Sequence, residues 1–291
     1  MSIAFASLSA GFFAESLAKA TGLRYWQCHS EAKPKDCDTL FLVGLYHPGD
    51  AFYKQIASFR KTIILFAGTD ILQLQALPRS AQRSVFASLL KDRVCFATEA
   101  PTVKDRIKDL FGLRSEIVYI PSKHVFPAEE IPLPKTFAVG CYMPPSKLDF
   151  YHHDLILGVA AKFPTVPFHL YSVVGYNHLP STYKGNNIVP HPTQIVDMPP
   201  FLAGLSCGIR ITAHDTYTMS AIEYSQMGRW FINNYSMPFC DEVAAEPSVD
   251  EVAKVLADIQ NRTEPNHAGR AFYRKNHDPK TFLAKIKDLL K

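Results

Sequence analysis

Residues Gly208 to Asn234 read GIRITAHDTYTMSAIEYSQMGRWFINN. An apolar β-type run, Gly208 to His214, comes first. A short polar turn, Asp215 to Thr218, follows it, then an amphipathic helix, Met219 to Gly228, and a second apolar strand, Arg229 to Asn234. Strand, turn, helix and strand in 27 residues is one βαβ unit, whose two strands must lie parallel. The backbone N–H groups at the start of its helix lack intrahelical partners and sit at the positive end of the helix dipole, so they suit an anion such as a diphosphate. Asp215 and Glu223 have seven residues between them. One stands before the helix and the other a turn into it, so both are expected to face one pocket edge, where carboxylates accept hydrogen bonds from sugar and ribose hydroxyls.

The same alternation extends in both directions. Towards the N-terminus, strands are expected at Ser2 to Ser7, Thr39 to Tyr46, Thr62 to Gly68 and Arg93 to Thr98, with helices at Phe12 to Ala20 and Val103 to Phe111. Four prolines, Pro121, Pro127, Pro132 and Pro134, crowd the next fourteen residues. Proline has no backbone donor and a fixed φ, so an extended connection is expected there, with a domain boundary after residue 134. Beyond it, strands at Phe137 to Met143 and Phe168 to Val174 and helices at Asp149 to Phe163 and Pro199 to Leu205 lead into the quoted stretch. Helices at Val249 to Gln260 and Pro279 to Leu290 close the chain. The expected fold is α/β, with two doubly wound halves whose ligand loops lie at the carboxyl ends of the strands and face one cleft.

Composition narrows the function classes. Six scattered cysteines without a CxxC pair argue against zinc and disulfide chemistry and suit the cytoplasm. No apolar run reaches the ~18 residues a membrane span needs. Net charge is only +4, but residues 54 to 123 hold twelve Lys/Arg against six Asp/Glu. Solvated helix faces explain such an excess; an anionic acceptor or peripheral membrane contact is the sharper reading. "SLSAGFF" (Ser7 to Phe13) is not GxGxxG and no P-loop occurs, so no dinucleotide cofactor is expected. "DCD" (Asp36 to Asp38) precedes its strand, and His152 and His153 are adjacent and diverge on a helix, so no metal is expected either.

The spacing of Asp215 and Glu223 resembles the E-x7-E motif of retaining GT-B glycosyltransferases of family four, with Asp215 in place of the first Glu and Tyr217–Thr218 in place of the usual Phe–Gly pair. "VGCYMPPSKLDFYHHD" (Val139 to Asp154) is similar to the family's first C-terminal strand and loop, and "FAGTDIL" (Phe66 to Leu72) to its GTDV strand end. "FATEAPTVKDRIKDLFGLRSEIVYIPSK" (Phe96 to Lys123) resembles the stretch that ends its N-terminal domain. "AFYRKNHDPKTFLAKIKDLL" (Ala271 to Leu290) resembles its C-terminal helix. The resemblance implies an acceptor-side Rossmann-like domain over 1–134, a nucleotide-sugar domain over 135–270, and a terminal helix, 271–291, returning to the first. It also implies a metal-independent hexosyl- or pentosyltransferase whose co-substrate, UDP by family frequency, takes the place of a cofactor. Asp215 would contact the transferred sugar and Glu223 the ribose. Lys147 and the amides of Tyr217, Thr218, Met219 and Ser220 would hold the diphosphate, with Gly11 near the sugar phosphate.

Asp70 and His47 each follow a strand and are candidates for the cleft, although Asp70 also reads as a cap and His47, before Pro48, as a turn residue. The acceptor stays open between a saccharide or lipid-linked sugar and hydroxymethylated DNA, whose base would have to flip out. A non-catalytic nucleotide-sugar binding protein and a UDP-sugar epimerase are the rival classes.

Overall fold

The computed structural model describes residues 2–7, 11–28, 30–45, 56, 58–66, 69–82, 85, 94–122, 124–144, 147–171, 187–191, 195, 197–215 and 217–291. They form two compact units: Met1–Lys123 with Asn276–Lys291, and His124–Lys275.

The first unit is built on strands β1 (Ile3–Ala6), β2 (Arg24–Tyr25), β3 (Thr39–Val43), β4 (Lys61–Phe66), β5 (Val94–Thr98) and β6 (Ser115–Ile117). They form one parallel sheet in the order β2-β1-β3-β4-β5-β6. Every residue of β1 and β3 is buried, as expected for parallel strands covered on both faces. The described helices of this unit include α1 (Gly11–Thr21), α2 (Thr69–Ala76) and α3 (Pro101–Phe111). Phe282, from the closing helix of the chain, packs 5.5 Å from Phe41 and 6.1 Å from Phe5, so the terminal segment completes the first unit's core.

The second unit carries β7 (Val139–Tyr142), β8 (Phe168–Tyr171), β9 (Ile188–Pro190), β10 (Cys207–Arg210), β11 (Trp230–Asn233) and β12 (Asp241–Glu242). Their order is β12-β11-β10-β7-β8-β9, again all parallel. Numbered from β7, this is the 3-2-1-4-5-6 order of a dinucleotide-binding Rossmann sheet, with its topological switch between β7 and β10. The helices are α4 (His153–Lys162), α5 (Met198–Ala203), α6 (Met219–Gln226), α7 (Val249–Gln260) and α8 (His267–Asn276), and α9 (Pro279–Leu289) ends the chain. The fold class is therefore the one read from the sequence: α/β, with two Rossmann-like doubly wound domains. Among the described residues, no helix is long and apolar enough to cross a membrane.

Three local departures have physical causes. The helix expected from Asp149 starts only at His153, because a 3-10 turn over Asp149–Tyr151 ends at His152 in the left-handed region (φ 46°). The single terminal helix expected over 271–291 is two, α8 and α9, because Asp278 caps and Pro279 opens a new helix; α8 is mostly polar, buries only Gly269 and Tyr273, and up to Lys275 goes with the second unit. The proline-rich residues 124–134 go with the second unit. Arg229 Nη1 donates to the Ile131 carbonyl (3.0 Å), Arg270 Nη2 to those of Ala128 and Glu129, and Arg274 to that of Pro127. Arg229 is fully buried, its other donors satisfied by the Leu202 and Ala203 carbonyls at the end of α5.

Candidate functional site

The switch point of the second sheet draws together the carboxyl ends of β7, β10 and β11. Arg210 ends β10, and its guanidinium meets the Asp215 carboxylate twice, with Nε and Nη2 each 2.8 Å from Oδ2. It also lies over two aromatic rings, 5.6 Å from the centroid of Tyr142 and 5.0 Å from that of Tyr151. Cation–π contacts of this kind gain strength when water is excluded. Burial opposes the Arg210 charge, but Asp215, together with Tyr151 and Tyr171, more than offsets it, and the net pKa lies above the ordinary arginine value. Burial pushes the Tyr151 phenol up, with Arg210 pulling the other way, so it stays a neutral donor at physiological pH.

The 3-10 turn after β7 is tied to the Asp215 loop. The Ala213 amide donates to the Phe150 carbonyl (2.9 Å), and the Phe150 ring stands edge-on to His214 at 4.8 Å. Lys147, exposed at the start of this turn, holds its Nζ 5.7 Å from the Phe150 centroid. Lys147 and the acidic loop thus approach the same phenylalanine ring.

Helix α6 is positioned by two glycines. A Cβ on Gly140 would lie 2.0 Å from the Tyr224 hydroxyl and 2.6 Å from Leu205 Cδ1; one on Gly208 would lie 2.6 Å from Phe231 Cδ2 and 2.7 Å from Tyr224 Cε1. Only glycine on β7 and β10 lets the Tyr224 ring come down onto the switch-point strands, which sets the position of Glu223 beside it. Thr218 caps the helix in extended conformation without a side-chain bond. Its amide meets Met237 Sδ at 3.5 Å, so this one of the four candidate amide donors already has a sulfur partner. Tyr217 is buried near Tyr273, ring centroids 6.4 Å apart, and Met219 and Ser220 form the first helical residues.

The two acids part company here. Asp215 joins Arg210, Thr212, Thr218, Asn233 and Tyr235 around a small notch, and Glu223 does not line it. Glu223 is buried and sets Oε1 3.6 Å from His124 Nε2. Burial, and then the Glu223 charge, raise the Tyr171 phenol well above the usual tyrosine value. Arg210, His124, Tyr171 and Asn233 were not singled out in the sequence. Arg210 carried a readable signal, a lone cation inside an apolar strand. His124 lay in a stretch read as mere connection.

In the first unit, Asp70 is fully buried, with Oδ2 accepting from the Leu45 amide (2.7 Å) and Oδ1 from its neighbour's amide at Ile71 (3.0 Å). That is the geometry of a cap holding the loop after β3 against the start of α2. Gly11 is the first residue of α1. His47 lies outside the described residues.

No family model matches the chain, and no curated protein matches it in sequence. Solved structures do match. Anabaena HepE in complex with UDP and glucose is 13% identical, with 100% of this chain and 99% of that one covered and a TM-score of 0.66. Sucrose-phosphate synthase from Thermosynechococcus elongatus is 10% identical, with 87% and 72% covered and a TM-score of 0.62. A variant of S. aureus TarM, solved with fondaparinux, alpha-GlcNAc-glycerol and UDP, is 11% identical, with 88% of this chain but only 56% of that one covered and a TM-score of 0.61. At such identities the likeness is one of fold, and the fold is GT-B: two Rossmann-like doubly wound α/β domains.

Proposed function

We propose that the protein is a glycosyltransferase that moves a sugar from a nucleoside diphosphate donor, a UDP-sugar, to an acceptor hydroxyl with retention of configuration. One observation carries the reading: at the switch point of the second sheet, Asp215 is fixed by Arg210 beside the start of α6 and beside the turn that presents Lys147. Ligands of open α/β sheets bind at that place. The full-length likeness to a protein solved with UDP and glucose supports it.

In the reaction the bond from the anomeric carbon to the diphosphate breaks, negative charge grows on the departing phosphate, and positive charge spreads over the sugar ring. Lys147 and the amides that open α6 stabilise the phosphate with charge already in place. Asp215 accepts from the sugar hydroxyls, with Arg210 as the positioning residue that orients it. Glu223 accepts from the ribose hydroxyls. The donor phosphate takes the acceptor proton, so no metal and no protein base is required.

Calorimetric titration with UDP tests the assignment. Glu223→Ala and Lys147→Ala are each expected to weaken UDP binding about tenfold or more while thermal unfolding stays cooperative, since each removes a charge-assisted hydrogen bond. Unchanged UDP affinity in both variants overturns the site. A second reading, a binding module without turnover, is favoured by the ion pair that already occupies Asp215. Incubation with a panel of UDP-sugars separates the two: slow hydrolysis marks the enzyme, and binding without hydrolysis marks the module. Mass spectrometry of products from mixed glycans, lipids and hydroxymethylated DNA identifies the acceptor.

A further inference from the structure

Two consecutive asparagines close β11 and behave oppositely. Asn234 is saturated: its Nδ2 donates to the carbonyls of Thr212 and Ala245, both at 2.8 Å, and its Oδ1 accepts from the Thr212 amide at 3.1 Å. Asn233 is equally buried, 3% exposed, yet neither its Nδ2 nor its Oδ1 has a hydrogen-bond partner among the described residues. The Thr212 hydroxyl is in the same state. Successive side chains of a strand point to opposite faces, and Asn233 takes the face that lines the notch with Thr212, Asp215 and Tyr235. Its register partner on β10 is Arg210, the residue that holds Asp215.

A buried amide with both ends unsatisfied costs about 1–3 kcal/mol for each group, so in proteins such groups normally have a partner. The notch limits what that partner is. It has room for one water-sized group, about 10 Å³. A phosphate is too large, and the Arg210 charge that could draw an anion is already balanced by Asp215. A hydroxyl fits on both counts. It has one hydrogen to give to Asn233 Oδ1 and two lone pairs to accept from Asn233 Nδ2 and the Thr212 hydroxyl. We propose that Asn233 and Thr212 form a subsite for one hydroxyl of the transferred sugar, beside Asp215. This rests on the glycosyltransferase reading and names the part of that site that selects the sugar.

The test compares UDP with UDP-sugars on Asn233→Leu, which fills the same space without polar atoms, and on Asn233→Ala as a second variant. Because no side-chain hydrogen bond among the described residues is lost, Asn233→Leu is expected to melt at or above the wild-type temperature. UDP affinity should stay within about twofold, while affinity for the UDP-sugar that the wild type prefers should fall about tenfold, the effect of one or two hydrogen bonds. Monodeoxy UDP-sugars then locate the hydroxyl. The analogue lacking it binds the wild type about tenfold more weakly and binds Asn233→Leu no more weakly than the parent does, the non-additivity expected of two groups in contact. Equal binding of the UDP-sugar by wild type and both variants overturns the subsite in favour of an ordered water. Equal losses for UDP and UDP-sugar overturn it in favour of a distorted fold. Either result leaves the glycosyltransferase reading standing, whereas a wild type that binds neither UDP nor any UDP-sugar removes both.

Discussion

The two sheets share parallel pairing and buried strands, yet their carboxyl ends hold acidic residues of opposite character. In the first unit, Asp70 faces inward and both its oxygens accept backbone amides, from the loop after β3 and from α2. In the second, Asp215 is held by a side chain, Arg210, at the edge of a notch where Asn233 and Thr212 keep hydrogen-bonding capacity. An acid whose partners are backbone amides holds the fold together. One held by a cationic side chain, beside polar groups without partners among the described residues, is the one the proposed function assigns to a ligand. Position at the end of a strand is common to both and does not separate them.

The sharpest way to break this contrast is to remove each carboxylate in turn. Asp70→Ala leaves two buried amides without acceptors, at 1–3 kcal/mol each, so chemical denaturation should show a loss of about 4 kcal/mol. Asp215→Asn keeps a hydrogen-bond acceptor for Arg210 but leaves its largely buried charge unbalanced, so stability should fall by about 2 kcal/mol, less than for Asp70→Ala. Transfer or donor hydrolysis by Asp215→Asn should instead fall about a hundredfold or more, the scale of removing one group that acts on the reacting sugar. A stable Asp70→Ala protein, or an Asp215→Asn protein that unfolds, reverses the assignment of the two edges.

The second edge also depends on close packing that no acid reveals. Gly140→Ala places a methyl group 2.0 Å from the Tyr224 hydroxyl, which forces α6 off the sheet. Overpacking of this size should lower stability by about 3 kcal/mol and weaken UDP binding with it, since Glu223 moves with the helix. Adding Tyr224→Phe removes the atom in the closest clash and should restore about 1 kcal/mol or more. Additive losses in the double variant show that the Tyr224 hydroxyl is not what fixes the helix.

What was legible in the sequence follows the strength of local patterning. Leu40–Val43 in TLFLV and Ile63–Phe66 in KTIILF are unbroken apolar runs because both faces of a parallel strand are covered, and they announce themselves. β9 and β12, with three and two residues, are too short to show a period, and both lie at sheet edges. Of the candidate site, the turn and helix around Asp215 and Glu223 could be read, because they interrupt an apolar pattern. Arg210 stands out as a lone cation in an apolar strand, but its partner does not, because only the fold brings the carboxylate five residues later back onto it. Asn233 and Asn234 are indistinguishable as letters. Their difference, one saturated and one bare, exists only once β10 and β11 lie side by side.

The smallest expected effect separates the units by pH. In the first, the peptide of Ile120 binds two titratable groups: its amide donates to Glu99 Oε1 (3.0 Å), and its carbonyl lies 2.6 Å from His277 Nδ1. Burial raises Glu99 to about 8, against the pull of the Ile120 amide, and burial lowers His277 to about 4. A raised carboxyl contributes stability that is complete below its unfolded value, near 4.5, and is lost as the pH climbs through 8. A lowered imidazole contributes stability that is complete above 6.5 and is lost as the pH falls through 4. In the second unit, His169 and His191, with Nδ1 and Nε2 2.9 Å apart, are both lowered by burial and act only on the acid side. Stability should therefore decline between pH 6.5 and pH 8, where the histidines have finished titrating and Glu99 has not, by on the order of 1 kcal/mol because Glu99 keeps some contact with solvent. Urea denaturation across that range should give a falling line for the wild type and a flat one for Glu99→Gln. Parallel lines for the two proteins would mean that the alkaline loss arises elsewhere, and the Ile120 peptide would then be a structural contact without a titrating partner.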